Sequence, residues 1–290
     1  MGALEDAYAE CQRIASRHYE NFPVASRLLP RHMRPHVAAV YAFARRADDF
    51  ADEGALTDDE RHGLLDTWQA HLASCVAGRR VEADASTTRI FAALGHTIAS
   101  CGLSRQLLED LLSAFRQDIT TRRYETWTDL LDYCRRSANP VGRLVLRIAG
   151  YDDGALDRAS DGLCTALQLT NFWQDLAIDW SRGRLYVPRE LVEPTGAAEA
   201  DLDARRWTPA WREAVRQAAI RTRAAFESGR PVCDGVRGRL RWELRLTWLG
   251  GLTILDRLDA VAYDVFAGRP TLRPIDVVPL LLRATAWRTR

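Results

Sequence analysis

Apolar residues recur along nearly the whole chain at the three- to four-residue spacing of an amphipathic α-helix. Strand signals are nearly absent, because alternating β-branched runs with a hairpin turn between them do not occur. Proline and glycine separate the periodic segments and mark their ends. The pattern predicts helices over residues 3–20, 34–53, 58–77, 86–101, 104–120, 127–149, 154–180, 209–228, 237–267 and 274–287.

The longest irregular stretch runs from Ser181 to Pro209. It directly follows one of the predicted helices, in the position expected of a loop that covers an active site. Neither a repeat nor a low-complexity tract marks a domain boundary. The sequence therefore predicts an all-α fold with a single domain over residues 1–290.

A first acidic cluster lies in residues 45–53, inside one of the predicted helices. Asp48 and Asp52 are four residues apart, so they share one helix face, where like charges repel each other. The preceding residues are mostly apolar, which predicts a buried helix, and a buried carboxylate is rarely left without a partner. A solvated acidic face is the alternative for this cluster taken alone.

A second acidic cluster lies in residues 168–179, where the same spacing puts Asn171, Asp175 and Asp179 on one helix face. Oxygen ligands without His or Cys suit a hard cation such as Mg²⁺. Mg²⁺ is usually bound through a few carboxylates together with substrate phosphates. Two such clusters facing each other would form a magnesium-dependent diphosphate site.

Composition and the motifs missing from the sequence argue against several other classes of function. The chain has 290 residues and a net charge of +1, so nucleic acid is not indicated as a partner. Glycine-rich nucleotide loops, a G-x-S-x-G elbow and metal-spaced histidines are all missing from the sequence. Scattered cysteines, with neither a secretory signal nor a long apolar run, predict a cytoplasmic protein.

A third polar group lies in residues 133–144, within the predicted helix 127–149. Pro140 is expected to kink this helix, because proline removes a backbone hydrogen bond. Nearby small residues permit close approach by another chain segment or by a bulky ligand. A helix end with a tight packing contact is the alternative.

Departure of a diphosphate would leave a carbocation that needs walls excluding water. Aromatic faces stabilise cations, and the chain contains 9 Trp, 8 Tyr and 8 Phe residues. These residues provide material for such walls.

The chain resembles the squalene/phytoene synthase family over most of its length. Residues 48–52 match the first aspartate-rich motif of the family, preceded by Tyr41 and Arg45 at the family's spacing. The second motif is matched within residues 168–179 and is followed by residues 183–188. The resemblance implies an isoprenoid synthase-type helical bundle with a central apolar cavity. It also implies an enzyme that uses Mg²⁺ and acts on prenyl diphosphates.

The resemblance also implies roles for individual residues. The implied metal ligands are Asp48, Asp52, Asn171, Asp175 and Asp179. The residues implied to bind the substrate diphosphate are Tyr41, Arg45, Gln168 and Tyr186. Tyr133 matches a tyrosine that steers the cation chemistry, and it joins Asp48, Asp175 and Asn139 as a candidate catalytic residue.

Three departures from the family pattern distinguish this chain: Pro23, the segment 137–140 and Gln174. Together they resemble the bacterial branch of the hopanoid pathway that forms hydroxysqualene from presqualene diphosphate and water. Polar groups near the cation, Asn139 or Arg136, are expected to position that water. The main alternative is head-to-head condensation of two prenyl diphosphates to presqualene diphosphate, dehydrosqualene, squalene or phytoene. A non-catalytic helical protein is a further alternative.

The C-terminal residues 279–290 are too few and too basic to span a membrane. A packed terminal helix is expected. Peripheral contact with the inner face of the membrane, through leucine and tryptophan with the arginines outward, is the alternative.

Overall fold

The computed structural model describes residues 2–17 and 29–287. Every regular element in these ranges is helical, which confirms the all-α prediction. The chain divides into two compact units: unit 1 comprises Met1–Thr120 with Pro140–Asp153, and unit 2 comprises Thr121–Asn139 with Gly154–Arg290. One domain over residues 1–290 stays a prediction.

The helices follow one another through the described ranges with short connections. They are α1 (Ala3–Arg17), α2 (Met33–Asp52), α3 (Asp58–Val76), α4 (Ala85–Cys101), α5 (Arg105–Thr120), α6 (Trp127–Ser137), α7 (Asn139–Ile148), α8 (Gly154–Ser181), α9 (Arg189–Val192), α10 (Glu199–Asp203), α11 (Pro209–Gly229), α12 (Val232–Gly235), α13 (Gly238–Ala260) and α14 (Val277–Thr285). Within the ranges described, we find no helix of the length and apolarity that crossing a membrane requires.

Helix α2 is central to unit 1 and packs against α1, α3, α4 and α5. Its buried face contributes Phe43, whose ring lies 5.9 Å from that of Trp68, and Trp68 in turn lies 4.6 Å from Phe91. The neighbouring α3 begins at a capping box in which Thr57 and Glu60 satisfy each other's backbone amides. This packing fixes α2 from one side and determines which of its residues remain accessible.

Helix α8 is central to unit 2 and packs against α6, α11, α12 and α13. Glycines permit its close approach to α11, because a Cβ added at Gly162 would lie 2.8 Å from the backbone nitrogen of Gly229. Along the same interface, the indole of Trp173 donates a hydrogen bond of 2.8 Å to the hydroxyl of Thr222. These contacts hold the buried side of α8 in register with α11.

Several predicted boundaries were wrong. The helix predicted over 127–149 breaks at Ala138, because Pro140 has no N–H to donate and its ring clashes with the carbonyl of Arg136, four residues earlier. The helix predicted over 237–267 ends at Ala260, since Ala262 and Tyr263 adopt positive φ angles of 53° and 61°.

The irregular stretch predicted from Ser181 to Pro209 contains the short helices α9 and α10. Burial of Leu191, Val192 and Leu202 gives these short helices their stability. Two other sequence-based statements, the helix over residues 18–20 and the departure at Pro23, lie outside the described residues.

Candidate active site

In unit 1, the predicted site residues follow one face of α2. Tyr41, Arg45, Asp48 and Asp52 are spaced by three or four residues, and each is half-buried or exposed. The opposite face is buried through residues such as Phe43 and Ala47. The sequence-based expectation of buried carboxylates was therefore wrong for Asp52, which is exposed. The apolar residues around the first acidic cluster belong to the packed face of α2, and the carboxylates lie on its opposite face.

Arg45 links three carboxylates of this segment. Its guanidinium lies 2.8 Å from Asp49, 3.3 Å from Asp48 and 2.9 Å from Glu53. Burial opposes the charged form of Arg45, but these carboxylates outweigh burial and raise its pKa above the ordinary value. A positive charge is thus fixed beside Asp48, one of the predicted metal ligands.

In unit 2, the second set of predicted residues follows one face of α8. Gln168, Asn171, Asp175 and Asp179 recur at three- or four-residue steps, and all four are half-buried. Leu169, Trp173 and Leu176 bury the other side of the helix. The predicted shared face of Asn171, Asp175 and Asp179 is confirmed by this single continuous helix.

A segment after α13 lies against Asp175. The guanidinium of Arg269 donates through Nε to Oδ1 of Asp175 and through Nη2 to Oδ2, the latter at 3.1 Å. The neighbouring Gln174 is buried and its amide nitrogen donates to the carbonyl oxygen of Pro270. Gln174 therefore holds the segment that carries Arg269. Sequence reasoning missed Arg269, because its acidic partner lies 94 residues away along the chain.

Four aromatic rings form a cluster beside α8. Tyr186 stacks on Phe172 with centroids 3.8 Å apart, and Tyr133 lies 6.1 Å from both rings. Tyr124 completes the cluster at 5.8 Å from Tyr133 and 5.7 Å from Tyr186. All four rings are buried. The structure thus brings together the predicted residues Tyr133 and Tyr186 and adds Tyr124 and Phe172, which sequence reasoning had not singled out.

Backbone hydrogen bonds position Tyr186 and Tyr124. The amide of Leu185 donates to the carbonyl oxygen of Arg122 at 3.0 Å. The amide of Arg189 donates to the carbonyl oxygen of Tyr124 at 2.9 Å. The connection after α8 therefore runs along residues 122–125. This pairing places the two tyrosines side by side and fixes the start of the connection.

Polar groups lie at the break between α6 and α7, and two of them are buried. The amide oxygen of Asn139, which is buried, accepts a hydrogen bond of 2.9 Å from the hydroxyl of Thr165 on α8. The hydroxyl of Ser137 is buried and has no hydrogen-bond partner among the described residues. Arg136 pairs with Asp132 at 2.9 Å. The break thus brings one satisfied and one unsatisfied polar group close together in sequence.

The donor chemistry of both segments fits a hard divalent cation. Asp48 and Asp52 are one turn apart on α2, and Asp175 and Asp179 are one turn apart on α8, so each pair offers hard carboxylate oxygens. Across the described residues, no three or more His, Cys, Asp or Glu side chains are grouped to hold a metal ion. Mg²⁺ typically takes one or two carboxylates and completes its shell with water and substrate phosphate.

Comparison with known proteins gives consistent results. The model of the squalene/phytoene synthase family matches residues 15–276. Hydroxysqualene synthase of Rhodopseudomonas palustris is 36% identical over 262 residues, which cover 89% of this chain and 85% of that protein. Hydroxysqualene synthase of Zymomonas mobilis is 39% identical over 209 residues, which cover 72% and 68% of the two chains.

Among solved structures, squalene synthase HpnC from Alicyclobacillus acidocaldarius is similar, with a TM-score of 0.82 and 42% identity. The match covers 90% of this chain and 95% of that one. The helical fold is therefore that of the squalene synthase-type isoprenoid synthases, as the sequence predicted. With its fold, its two aspartate-rich helices and most of its length matched, the chain belongs to the squalene/phytoene synthase family.

Proposed function

We propose that this chain is a hydroxysqualene synthase, which converts presqualene diphosphate and water to hydroxysqualene and diphosphate. One structural observation carries the proposal: α8 presents hard oxygen donors on one face while its Phe172 stacks with Tyr186 in a buried aromatic cluster. Diphosphate binding and cation stabilisation are thus provided by neighbouring residues of one helix. The similarity to two hydroxysqualene synthases supports the same reaction.

As a member of its family, the chain is an enzyme that acts on prenyl diphosphates. Enzymes of this type use divalent metal ions. In unit 1, we assign Asp48 and Asp52 as metal ligands and Tyr41 and Arg45 as diphosphate-binding residues. The positive charge of Arg45 suits this role, because a planar guanidinium pairs well with phosphate oxygens.

In unit 2, the assigned metal ligands are Asn171, Asp175 and Asp179, and the assigned diphosphate-binding residues are Gln168 and Tyr186. We propose Mg²⁺ as the ion, because carboxylate and amide oxygens are the donors that it prefers. When bound, it would neutralise charge on the departing diphosphate.

The aromatic cluster would stabilise the cation that remains after the carbon–oxygen bond breaks. The faces of Tyr133, Phe172 and Tyr186 carry negative charge density, and their burial excludes bulk water. The central apolar cavity stays a prediction. Rearrangement of the cation and attack by one water molecule would then form the alcohol with release of a proton. We assign Asn139 to positioning this water.

Head-to-head condensation is the second candidate, and the observation that favours it is a more distant similarity to phytoene synthases. Condensation requires two prenyl diphosphates to be bound together, and each brings negative charge. Gln174 supplies no positive charge where many family members have arginine, and its amide is committed to the carbonyl of Pro270. This commitment counts against a second diphosphate beside α8.

A product assay distinguishes the two candidates. Purified protein with Mg²⁺ receives presqualene diphosphate in one reaction and farnesyl diphosphate in another, without a reductant, and products are identified by mass spectrometry. We expect hydroxysqualene from the first reaction and unchanged substrate in the second. A condensed hydrocarbon or presqualene diphosphate from the second reaction would instead establish a head-to-head synthase.

The surroundings of the enzyme also enter the proposal. All six cysteines are free thiols, which is typical of a reducing compartment. We therefore propose a cytoplasmic location, with peripheral contact at the inner face of the membrane.

A further inference from the structure

Helix α14 and the turn before it carry a strip of exposed apolar side chains. Ile275 is 78% exposed, Val278 62% and Leu282 63%, and Val277 and Leu281 are also exposed. We call these five residues the apolar strip. On a helical projection, the four strip residues of α14 lie within one arc that contains no charged residue. Exposed apolar residues gathered in this way mark an interaction surface more often than residues scattered singly do.

The opposite side of α14 is held firmly by unit 2. Leu280 and Ala284 are buried, and α14 packs against α13. At the end of the helix, the indole of Trp287 donates a hydrogen bond of 3.0 Å to Asp234 and lies 5.1 Å from the ring of Trp248. The expected packed terminal helix is therefore confirmed. Trp287 packs on the protein, so under the alternative of peripheral membrane contact this tryptophan takes no part.

The charge around the apolar strip is positive. Arg273 and Arg283 flank it and are exposed. Asp276, which precedes α14, is paired with the guanidinium of Arg257. Over residues 270–287 the chain has two arginines and one aspartate, whose charge Arg257 offsets. The surface therefore combines apolar side chains with an excess of positive charge.

We propose that the apolar strip, with Arg273 and Arg283, docks the enzyme on a membrane surface that contains anionic lipids. An amphipathic helix of this kind lies in the plane of the interface, with its apolar side chains among the acyl chains and its cations at the headgroups. The inference rests on the proposed function to this extent: both the substrate and the product have long hydrocarbon chains that partition into bilayers. Docking would let them pass between enzyme and bilayer without crossing water.

The test is vesicle flotation with the full chain. Vesicles of phosphatidylcholine alone are compared with vesicles that also contain phosphatidylglycerol. The test variant is V278E/L282E, which places two charges where acyl chains are expected. The control variant is I220E, because Ile220 is an apolar residue of α11 that is 48% exposed and lies outside the strip. Thermal unfolding verifies that both variants are folded.

We expect the unsubstituted chain and I220E to float with anionic vesicles, less strongly at high salt, since surface charge is screened. V278E/L282E is expected to lose at least about tenfold in partitioning. Equal partitioning of both variants, or no binding of the unsubstituted chain to anionic vesicles, would overturn the proposal. A dimer that dissociates in V278E/L282E, without vesicle binding, would overturn it by assigning the strip to a second copy.

Turnover separates this proposal from the proposed function. Presqualene diphosphate dispersed in detergent bypasses the membrane, so V278E/L282E is expected to keep its turnover there. Vesicle binding without any turnover would leave the docking surface standing and reject the proposed reaction.

Discussion

Arg269 forms a bidentate ion pair with Asp175, in which Nε and Nη2 donate to the two carboxylate oxygens. A proposed metal ligand of α8 is thus neutralised by a cation from a remote segment. Arg45 does the same for Asp48 within α2. On each aspartate-rich helix, one proposed metal ligand is therefore paired with an arginine, which would compete with a metal ion for that carboxylate.

Replacing Arg269 is expected to strengthen metal binding in the absence of substrate. R269Q removes the competing cation from Asp175, so the affinity for Mg²⁺ should rise about threefold, as suits a partly exposed ion pair. Isothermal titration calorimetry with Mg²⁺ alone measures this effect. R206Q breaks a comparable pair with Asp201 outside the proposed site and should leave the affinity unchanged. An unchanged or weaker affinity in R269Q would contradict the competition.

Neutralising the proposed metal ligands is expected to abolish turnover without loss of fold. D48N and D175N each remove one hard oxygen donor, while the free energy of unfolding should change by no more than about 1 kcal/mol. Product formation and urea denaturation measure the two effects. D66N alters an exposed carboxylate of α3 and serves as the control. Full activity in D48N and D175N would show that the assigned metal ligands are wrong.

Ser137 and Asn139 are expected to respond differently to alanine. A buried hydroxyl without a partner is costly, so S137A should stabilise the protein by about 1 kcal/mol. N139A should destabilise it by about 1 kcal/mol, because the Thr165 hydroxyl loses its acceptor. Urea denaturation measures both changes.

The variant N139A also tests the placement of water. N139A should lower the yield of alcohol from presqualene diphosphate relative to hydrocarbon by-products. Unchanged alcohol output from N139A would remove Asn139 from the mechanism.

Stability is expected to fall in mild acid because of a histidine in unit 1. His36 accepts or donates hydrogen bonds with Tyr8 at 3.1 Å and Thr97 at 2.9 Å, and its ring stacks near that of His96. Burial, followed by the charges of His96 and His32, lowers the pKa of His36 below its ordinary value of 6.5. The unfolded chain therefore binds a proton first as the pH falls.

The stabilising contribution of His36 is thus present above about pH 6.5 and is lost as the pH falls through the lower, folded-state pKa. Urea denaturation at about pH 7.5 and about pH 5.5 measures the loss. H36Q should show a smaller difference between the two conditions, and H62Q, outside this cluster, should behave like the unsubstituted chain. An equal difference in all three would contradict the assignment.

Local spacing along the sequence predicted the helices that carry the candidate site. The four-residue separation of Asp48 from Asp52, and of Asp175 from Asp179, is a property of one helix and needs no tertiary information. The structure places both pairs on single helices, as expected.

Contacts between distant segments could not be predicted in this way. Arg269 meets Asp175 only because the chain after α13 returns to α8, and nothing in the local pattern of either segment encodes that return. Tyr124 joins Tyr186 through backbone pairing of two irregular segments, where periodicity carries no signal. The end of α13 depends on positive φ angles at Ala262 and Tyr263, residues that do not signal such a turn.

The origin of the oxygen atom in the product tests the proposed reaction most directly. The enzyme receives presqualene diphosphate and Mg²⁺ in water labelled with a heavy isotope of oxygen. The mass of the product is then measured by mass spectrometry. We expect hydroxysqualene that carries one heavy oxygen atom, because solvent water quenches the cation. An alcohol with unlabelled oxygen, or a hydrocarbon without oxygen, would contradict it.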